Sequence, residues 1–407
     1  MSEGRGRLAT ISALGIVQIF AWGSSYYLPA VLIKPIAAST GWPLAAVTGG
    51  FSIALLASGL LSPRVGRMIR ARGGRDVLIG GLVLLAVGLA ILAAARTLPL
   101  YFLGWLVMGS GMSATLYDAA FGTLGRYYGY GARSAITTLT LYGGFASTIC
   151  WPLSAFLLDH GGWRAVCLVY AAVHLIVGVP LIWRFLPPVD RIAAGGDRSG
   201  SETDAGQGDV PERLAFWLLA AIVTLGGTLA TVVSVHLIAI LEARDVSLAV
   251  AVSLGALIGP SQVGARVFDM AIGKRFPAIA TLAFAAFLIA AGVLALASGL
   301  PALALALILY GAGNGIWSIA RGAVPLALFG PDRFPVMMGK LAMPTLVAQS
   351  LAPPASAVLL QHAGAGPLTA LVAGAAVVNV ILVGLLWRAT ASRRGLASHT
   401  LAPSPPP

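Results

Sequence analysis

Apolar residues in this chain run in blocks of about twenty or more, with polar and basic residues gathered between them. A helix at the surface of a soluble domain repeats its apolar positions every three to four residues. These blocks are apolar all round, as helices immersed in lipid are, and about 20 such residues suffice to cross the hydrocarbon core. They predict spans at about 11–33, 44–63, 76–95, 99–124, 135–158 and 165–187, then at about 214–241, 248–268, 278–299, 302–329, 336–361 and 367–388. Between the sixth and seventh, Asp190 to Glu212 is rich in Gly, Ser and Asp, has no apolar period, and reads as a flexible linker. The expected organisation is an N-terminal six-helix bundle (1–188), a cytoplasmic linker (189–213), a C-terminal six-helix bundle (214–390) and a disordered cytoplasmic tail (391–407) ending in prolines. The first block follows a short basic N-terminus and is too long for a signal-peptide core, so it reads as a retained span.

Composition sharpens this picture. Of 407 residues, 58% are hydrophobic and only 10% charged, whereas an ordinary soluble domain is roughly a quarter charged. A soluble enzyme, a disulfide scaffold and a disordered chain are all excluded on that ground. The net charge of +12 would suggest nucleic acid in a soluble protein, but here the basic residues lie between spans and set orientation instead. With the N-terminus inside, the outer loops hold only Lys34, Arg96, Arg164 and Arg244, while most other basic residues fall in inner loops, span ends and termini. Both termini are therefore expected in the cytoplasm, with the chain in a bacterial-type inner membrane. Cys150 and Cys167 sit within apolar stretches, too few for a disulfide framework or a four-ligand zinc site.

The two halves repeat one another. Arg67 ends the second span and Arg266 the eighth, offset by 266 − 67 = 199; Arg70 and Asp269 share that offset, 269 − 70 = 199. Gly109-Ser-Gly111 and Gly311-Ala-Gly313 are offset by 311 − 109 = 202. Two copies of a six-span unit imply a pseudo-symmetric transporter with its substrate site between the halves.

The segment Gly66-Arg67-Met68-Ile69-Arg70-Ala71-Arg72-Gly73-Gly74-Arg75 resembles the signature loop between spans two and three of the major facilitator superfamily. The resemblance covers about residues 11–388 and implies an all-α membrane protein of twelve helices in two pseudo-symmetric bundles. In that family the loop latches the cytoplasmic side by pairing a span-two aspartate with basic residues. Here Arg70 stands at the aspartate position, so the latch must be rearranged, with Asp76 or Asp269 as the replacement. Trp105 stands about where the family carries an arginine before the span-four Gly-x-Gly. A narrower likeness, to the monocarboxylate and oxalate/formate-exchange branch, runs through Gly109-Ser-Gly111, Leu116-Tyr117-Asp118, Arg133-Ser134-Ala135 and Gly161-Gly162-Trp163-Arg164. It implies small organic anions as substrates.

Charges inside the membrane cost roughly 2.5–3.5 kcal/mol each on insertion scales, so they are functional candidates by default. Asp118 in span four and Arg321 in span ten stand at pseudo-symmetric positions, each about 27 Å along its helix. They are expected to face one another, as a gate or as an anion and proton site; a static structural pair is the alternative. Span one carries Gln18, Trp22, Tyr26, Tyr27 and Pro29, a polar and aromatic set from which at least one tyrosine should line the cavity. Tyr117, Tyr142, Asn314, Trp317 and Gln349 complete the candidates for substrate binding or coupling. Gly66, Arg67, Arg70 and Arg75, with Arg266 and Asp269, are assigned to the gating loops. Lys340 reads as an interfacial anchor, His174 as a packing residue and His236 as a better candidate for proton coupling. The Gly-x-Gly pairs lie inside apolar helices with no preceding strand, so they are packing glycines; no nucleotide loop, paired zinc histidines or nucleophile elbow occurs.

The expectation is a secondary active transporter, not an enzyme, moving a small organic anion by alternating access with a proton or counter-solute. It would work as a monomer in the bilayer, without cofactor, metal or nucleic acid. Two rivals share the scaffold: an efflux transporter for drugs, metabolites or metalloids, and a membrane sensor that no longer transports.

Overall fold

The computed structural model describes residues 2–188, 210–298 and 302–399, and the described chain is helical throughout, without a strand. Nine helical stretches among the described residues are long and apolar enough to cross a membrane. Two are far too long for one crossing. The 88-residue stretch Leu98–Phe185 would reach about 130 Å if straight, against a hydrocarbon core of about 30 Å. It turns back at Gly129–Gly131 and at Gly162, and the 61-residue stretch Leu303–Ala363 turns back at Gly330. The result is twelve crossings, as the apolar blocks predict.

Span one consists of α1 (Ser2–Ser24) and α2 (Leu28–Thr40), span two of α3 (Leu44–Arg72), span three of α4 (Gly74–Ala94), and span four of α5 (Leu98–Thr115) and α6 (Tyr117–Tyr128). Span five is α7 (Ala132–Gly144) and the first part of α8 (Ala146–Val173). Span six takes the rest of α8, a π-helical turn at His174–Gly178 and α9 (Val179–Phe185). In the second half, α10 (Val210–Glu242) is span seven, α11 (Leu248–Gly255) with α12 (Ile258–Ile272) span eight, and α13 (Ala278–Ala297) span nine. Then α14 (Leu303–Ala363) forms spans ten and eleven, and α15 (Ala365–His399) forms span twelve.

Two boundaries differ from expectation. Helix α10 begins at Val210, within the expected linker, because Pro211 and Glu212 suit the first turn of a helix. Helix α15 continues to His399, past the expected start of a disordered tail at 391, because Ala and Arg recur there and both favour helix. The expected linker residues 189–209, and the tail from 400, lie outside the described residues.

The turn positions repeat between halves as the motifs do. Gly129 and Gly330 adopt positive φ (53° and 70°) at an offset of 330 − 129 = 201, and Gly162 and Gly364 (70° and 83°) at 364 − 162 = 202. A residue without Cβ is suited to these left-handed reversals. With an even number of crossings, the two ends of the chain lie on one face, shared by Arg70, Arg75, Arg133, Arg184 and Arg333 and referred to below as the basic face.

The core follows the same division. One apolar cluster is built wholly from residues between Ala215 and Leu386, and two others from the first half. The exception is informative: one first-half cluster also takes in Leu326, Phe334 and Met338 from spans ten and eleven. The halves are thus joined near the basic face, where spans two and eleven run antiparallel. Gly59 lies against Met343, Leu346 and Val347, Gly66 against Pro335 and Val336, and Gly339 against Ser62 and Pro63. A Cβ on Gly66 would overlap the Pro335 carbonyl oxygen, and one on Gly339 the Ser62 carbonyl oxygen. Small residues that let backbones touch are the usual means of joining helices in lipid, where apolar burial gives no driving force.

Candidate functional site

Four spans break in mid-course: the breaks in spans one and four lie beside cavity-lining residues, and the break in span five leaves room for Arg266. In span one, Pro29 has no N–H and its ring excludes the carbonyl four residues back, so the helix opens between Ser24 and Leu28. The Tyr27 amide instead bonds the Trp22 carbonyl at 2.9 Å. Span eight opens before Pro260 for the same reason. Span five breaks at Phe145, after the pair Gly143-Gly144. Span four breaks at Leu116, whose ψ of −174° is extended, with neither glycine nor proline at the break.

That last break sets the chemistry. It starts a new helix at Tyr117 and places Asp118 in its first turn, where the partial positive charge of a helix N-terminus favours a carboxylate. Opposite, on unbroken span ten, Arg321 donates through Nη2 to Asp118 Oδ1 at 2.5 Å. The pair is 203 residues apart in sequence, and both side chains are about four-fifths buried. The two charges expected to face each other do so. The Arg321 Nε is buried and has no hydrogen-bond partner.

The pair borders a cavity of about 150 Å³ between the halves. Its walls include Trp22, Tyr26, Ser58, Ser62 and Tyr117 from the first half, and Arg266, Asn314, Trp317, Ser318 and Gln349 from the second. The first-half aromatic residues form one connected group, with Trp22 ring centroids 5.1 Å from Tyr26 and 4.8 Å from Tyr117, and Tyr117 stacked on Phe121 at 5.0 Å. Gln349 donates to the Gly227 carbonyl at 3.0 Å, which ties span eleven to span seven.

Several expected residues are placed otherwise. Tyr27 does not border the cavity; it sits edge-on to Trp151. Gln18 is fully buried behind the wall, donating to the Thr115 carbonyl beside the span-four break at 2.7 Å and accepting from Trp22 Nε1 at 3.1 Å. It holds cavity residues without reaching the cavity. Tyr142 likewise ties span five to span one through Ser12 Oγ at 2.9 Å. His174 bonds Ser24 Oγ at 2.7 Å, and His236 bonds Ser356 Oγ at 2.8 Å, each within its own half. Lys340 is exposed, away from the cavity.

The largest difference concerns Arg266, which the repeat places in a gating loop. Its guanidinium is buried in the cavity wall and crosses to the first half, donating to the Thr140 carbonyl at 2.9 Å and to Ser318 Oγ at 3.1 Å. It enters where Gly144 leaves room at the span-five break; a Cβ there would overlap its Nη1. Its counterpart Arg67 is exposed, as are Arg70 and Asp76. Arg75 lies over the Trp183 ring at 5.6 Å. Arg133 crosses between the halves at the basic face, donating to the Phe276 and Gly273 carbonyls at 2.8 and 2.9 Å and interacting electrostatically with buried Asp269. Of the two candidate latch carboxylates, Asp269 is thus at the junction and Asp76 faces outward. On the opposite face, Trp163 bonds Ser39 at 2.8 Å and Arg164 the Ala95 carbonyl at 3.0 Å, so the Gly-Gly-Trp-Arg segment packs the outer loops.

Comparison with known proteins agrees with this arrangement. A model of the Major Facilitator Superfamily matches residues 14–288. Monocarboxylate transporter 11 of Mus musculus is 37% identical over 126 residues, which is 30% of this chain and 28% of its own length. An uncharacterized 38 kDa protein of Thermoproteus tenax is 31% identical over 170 residues, 42% of this chain and 44% of its own. The chain thus spans less than half the length of either relative. Similar solved structures include the human organic anion transporter MFSD10, with a TM-score of 0.70 over 93% of this chain and 99% of that one at 17% identity. The proton:xylose symporter XylE (0.68, 95% and 96%, 12%) and the transporter FucP in its outward conformation (0.68, 94% and 99%, 16%) share the same fold. The length of the family match, together with twelve crossings around a shared polar cavity, places this chain in the Major Facilitator Superfamily, a family of membrane transporters.

Proposed function

We propose that the chain carries a small organic anion of the monocarboxylate class through this cavity by alternating access. The observation that carries the reading is the charge inventory of the wall: two guanidinium groups, Arg266 and Arg321, against one carboxylate, Asp118, with the buried Arg321 Nε–H left over. A buried donor without a partner beside a polar cavity is a place for an acceptor oxygen, and the planar guanidinium suits a carboxylate. The cavity is also small beside the roughly 300–1,000 Å³ of drug-sized ligand sites, which favours a compact solute over a bulky toxicant. Two similar proteins, a monocarboxylate transporter and an organic anion transporter, point the same way.

In this reading the anion competes with Asp118 for Arg321. Release of the arginine from Asp118 lets the halves rock, and a proton or counter-solute gradient supplies the energy. The basic face is the cytoplasmic one, by the excess of arginine there, and the protein works as a monomer in an inner membrane with both termini inside. Import and export use the same cycle, run in the direction the gradients set.

The test is flux into proteoliposomes across a panel of small carboxylates, neutral sugars and bulky amphipathic cations. The expected outcome is uptake of one or more carboxylates that responds to an imposed pH gradient or to internal carboxylate. Replacing Arg266 with Gln removes four hydrogen bonds and a charge from the wall, and is expected to lower that flux at least tenfold. Flux of sugars or cations without carboxylate flux would refute the reading.

A further inference from the structure

A second polar site lies away from the central cavity, at the basic face. A cleft of about 1000 Å³ opens between the start of α1, the end of span six and Tyr128. Its lining holds three arginines, Arg7, Arg75 and Arg184, and no carboxylate among the described residues. Each guanidinium sits over an aromatic ring: Arg7 over Tyr128 at 4.7 Å, Arg75 over Trp183 at 5.6 Å and Arg184 over Phe185 at 5.5 Å. Arg7 is also held by the Gly131 carbonyl at 2.7 Å and Ser134 Oγ at 2.8 Å. The Arg75 Nε is buried without a partner. The cleft itself is a fixed feature, because Thr10 Oγ bonds the Phe185 carbonyl at 2.8 Å and so joins α1 to α9.

Three like charges converge here only at a cost in mutual repulsion, which an anion between them would reverse. The depth identifies the anion. The cleft sits where spans one and six leave the hydrocarbon, at the level where aromatic and basic side chains meet lipid headgroups. Beside it, the outward surface of span six is bare and apolar, with Ile176 73% and Trp183 63% exposed, a surface for an acyl chain leading down from the headgroup. Basic pockets between membrane helices at the edge of an anionic leaflet are suited to phospholipid headgroups. We infer that this cleft binds the phosphate of an anionic phospholipid from the adjoining leaflet, with its acyl chain along span six. The assignment does not depend on what the central cavity carries.

The experiment uses the purified full chain in detergent. Its thermal unfolding midpoint is measured with dioctanoyl phosphatidylglycerol, with dioctanoyl phosphatidylcholine and with inorganic phosphate, and retained lipid is counted by native mass spectrometry. The expected result is a midpoint raised by several degrees, and a retained lipid, with phosphatidylglycerol alone. Both effects should be lost in Arg75→Gln/Arg184→Gln. Arg184→Gln alone, which changes an exposed side chain, should fold normally and diminish them. Equal effects from phosphatidylcholine would mean unspecific acyl binding, and equal effects from phosphate an ion site without lipid. Either result, or undiminished phosphatidylglycerol binding in the single variant, would overturn the inference.

Discussion

Replacing Arg321 with Gln is expected to abolish concentrative transport, whereas replacing both Arg321 and Asp118 restores stability without restoring transport. The single change removes the donor of the 2.5 Å bond and leaves Asp118 as a largely buried carboxylate with no cation beside it. Breaking one side of such a pair is more harmful to the fold than removing both, because the remaining charge has lost its compensation. The loss of substrate binding is a separate effect. A hydrogen bond to a charged group contributes about 1.5–3 kcal/mol, so apparent affinity for the anion should fall about ten- to hundredfold. Asp118→Asn should behave differently: it frees the arginine, so anion binding persists, but it removes the group that competes for the arginine, so coupling to a gradient is lost while exchange continues. A double-mutant cycle on unfolding midpoint and on flux separates the two contributions. Wild-type flux and coupling in Arg321→Gln would show that the pair is only structural.

Why this pair was legible, while much of its surroundings was not, has a physical reason. In lipid every backbone polar group must bond within its own helix, so the crossings are written as unbroken apolar blocks and can be read directly. Charge inside such a block is costly, which singles out Asp118 and Arg321 without any knowledge of their neighbours. The orientation of an uncharged side chain is another matter. A helix that is apolar all round carries no stripe to say which face meets the cavity, so Gln18 and Tyr142 looked like cavity residues and are instead ties between helices. Ser58 and Ser62 line the cavity with no pattern to announce them. Arg266 was misplaced because the repeat equates it with Arg67. The halves diverge there: Arg67 lies exposed in the last turns of a helix that runs on to Arg72, and Arg266 turns into the interface through the gap at Gly144. The break at Leu116 has no local cause in its residue types. Local preference and final conformation disagree most readily where function imposes the shape, and this disagreement is what seats Asp118 at a helix N-terminus.

Adding a single methyl group at Gly66 is expected to hold the two halves apart at the basic face and to stop transport while leaving the protein folded. Spans two and eleven touch through backbone at Gly66 and Gly339, so Gly66→Ala places a Cβ against the Pro335 carbonyl, which has no flexible end to move aside. Overfilling a packed contact costs about 1–3 kcal/mol. Within one folded bundle that cost would appear as lost stability, but in the proposed alternating-access cycle the contact would exist only when the basic face is closed. The cost therefore falls on one conformation and shifts the balance between open and closed by roughly five- to more than hundredfold, at tenfold per 1.4 kcal/mol. Spin labels on Arg72→Cys and Arg275→Cys, exposed on the two halves at this face, in a background without Cys150 and Cys167, should report a longer distance in the variant than in the parent. Gly80→Ala is the control: a Cβ there meets nothing within 4 Å, so the same methyl group should leave both distance and flux unchanged. If Gly66→Ala kept the parental distance and flux, closure at the basic face could not depend on this contact, and the junction of spans two and eleven would be incidental to the cycle.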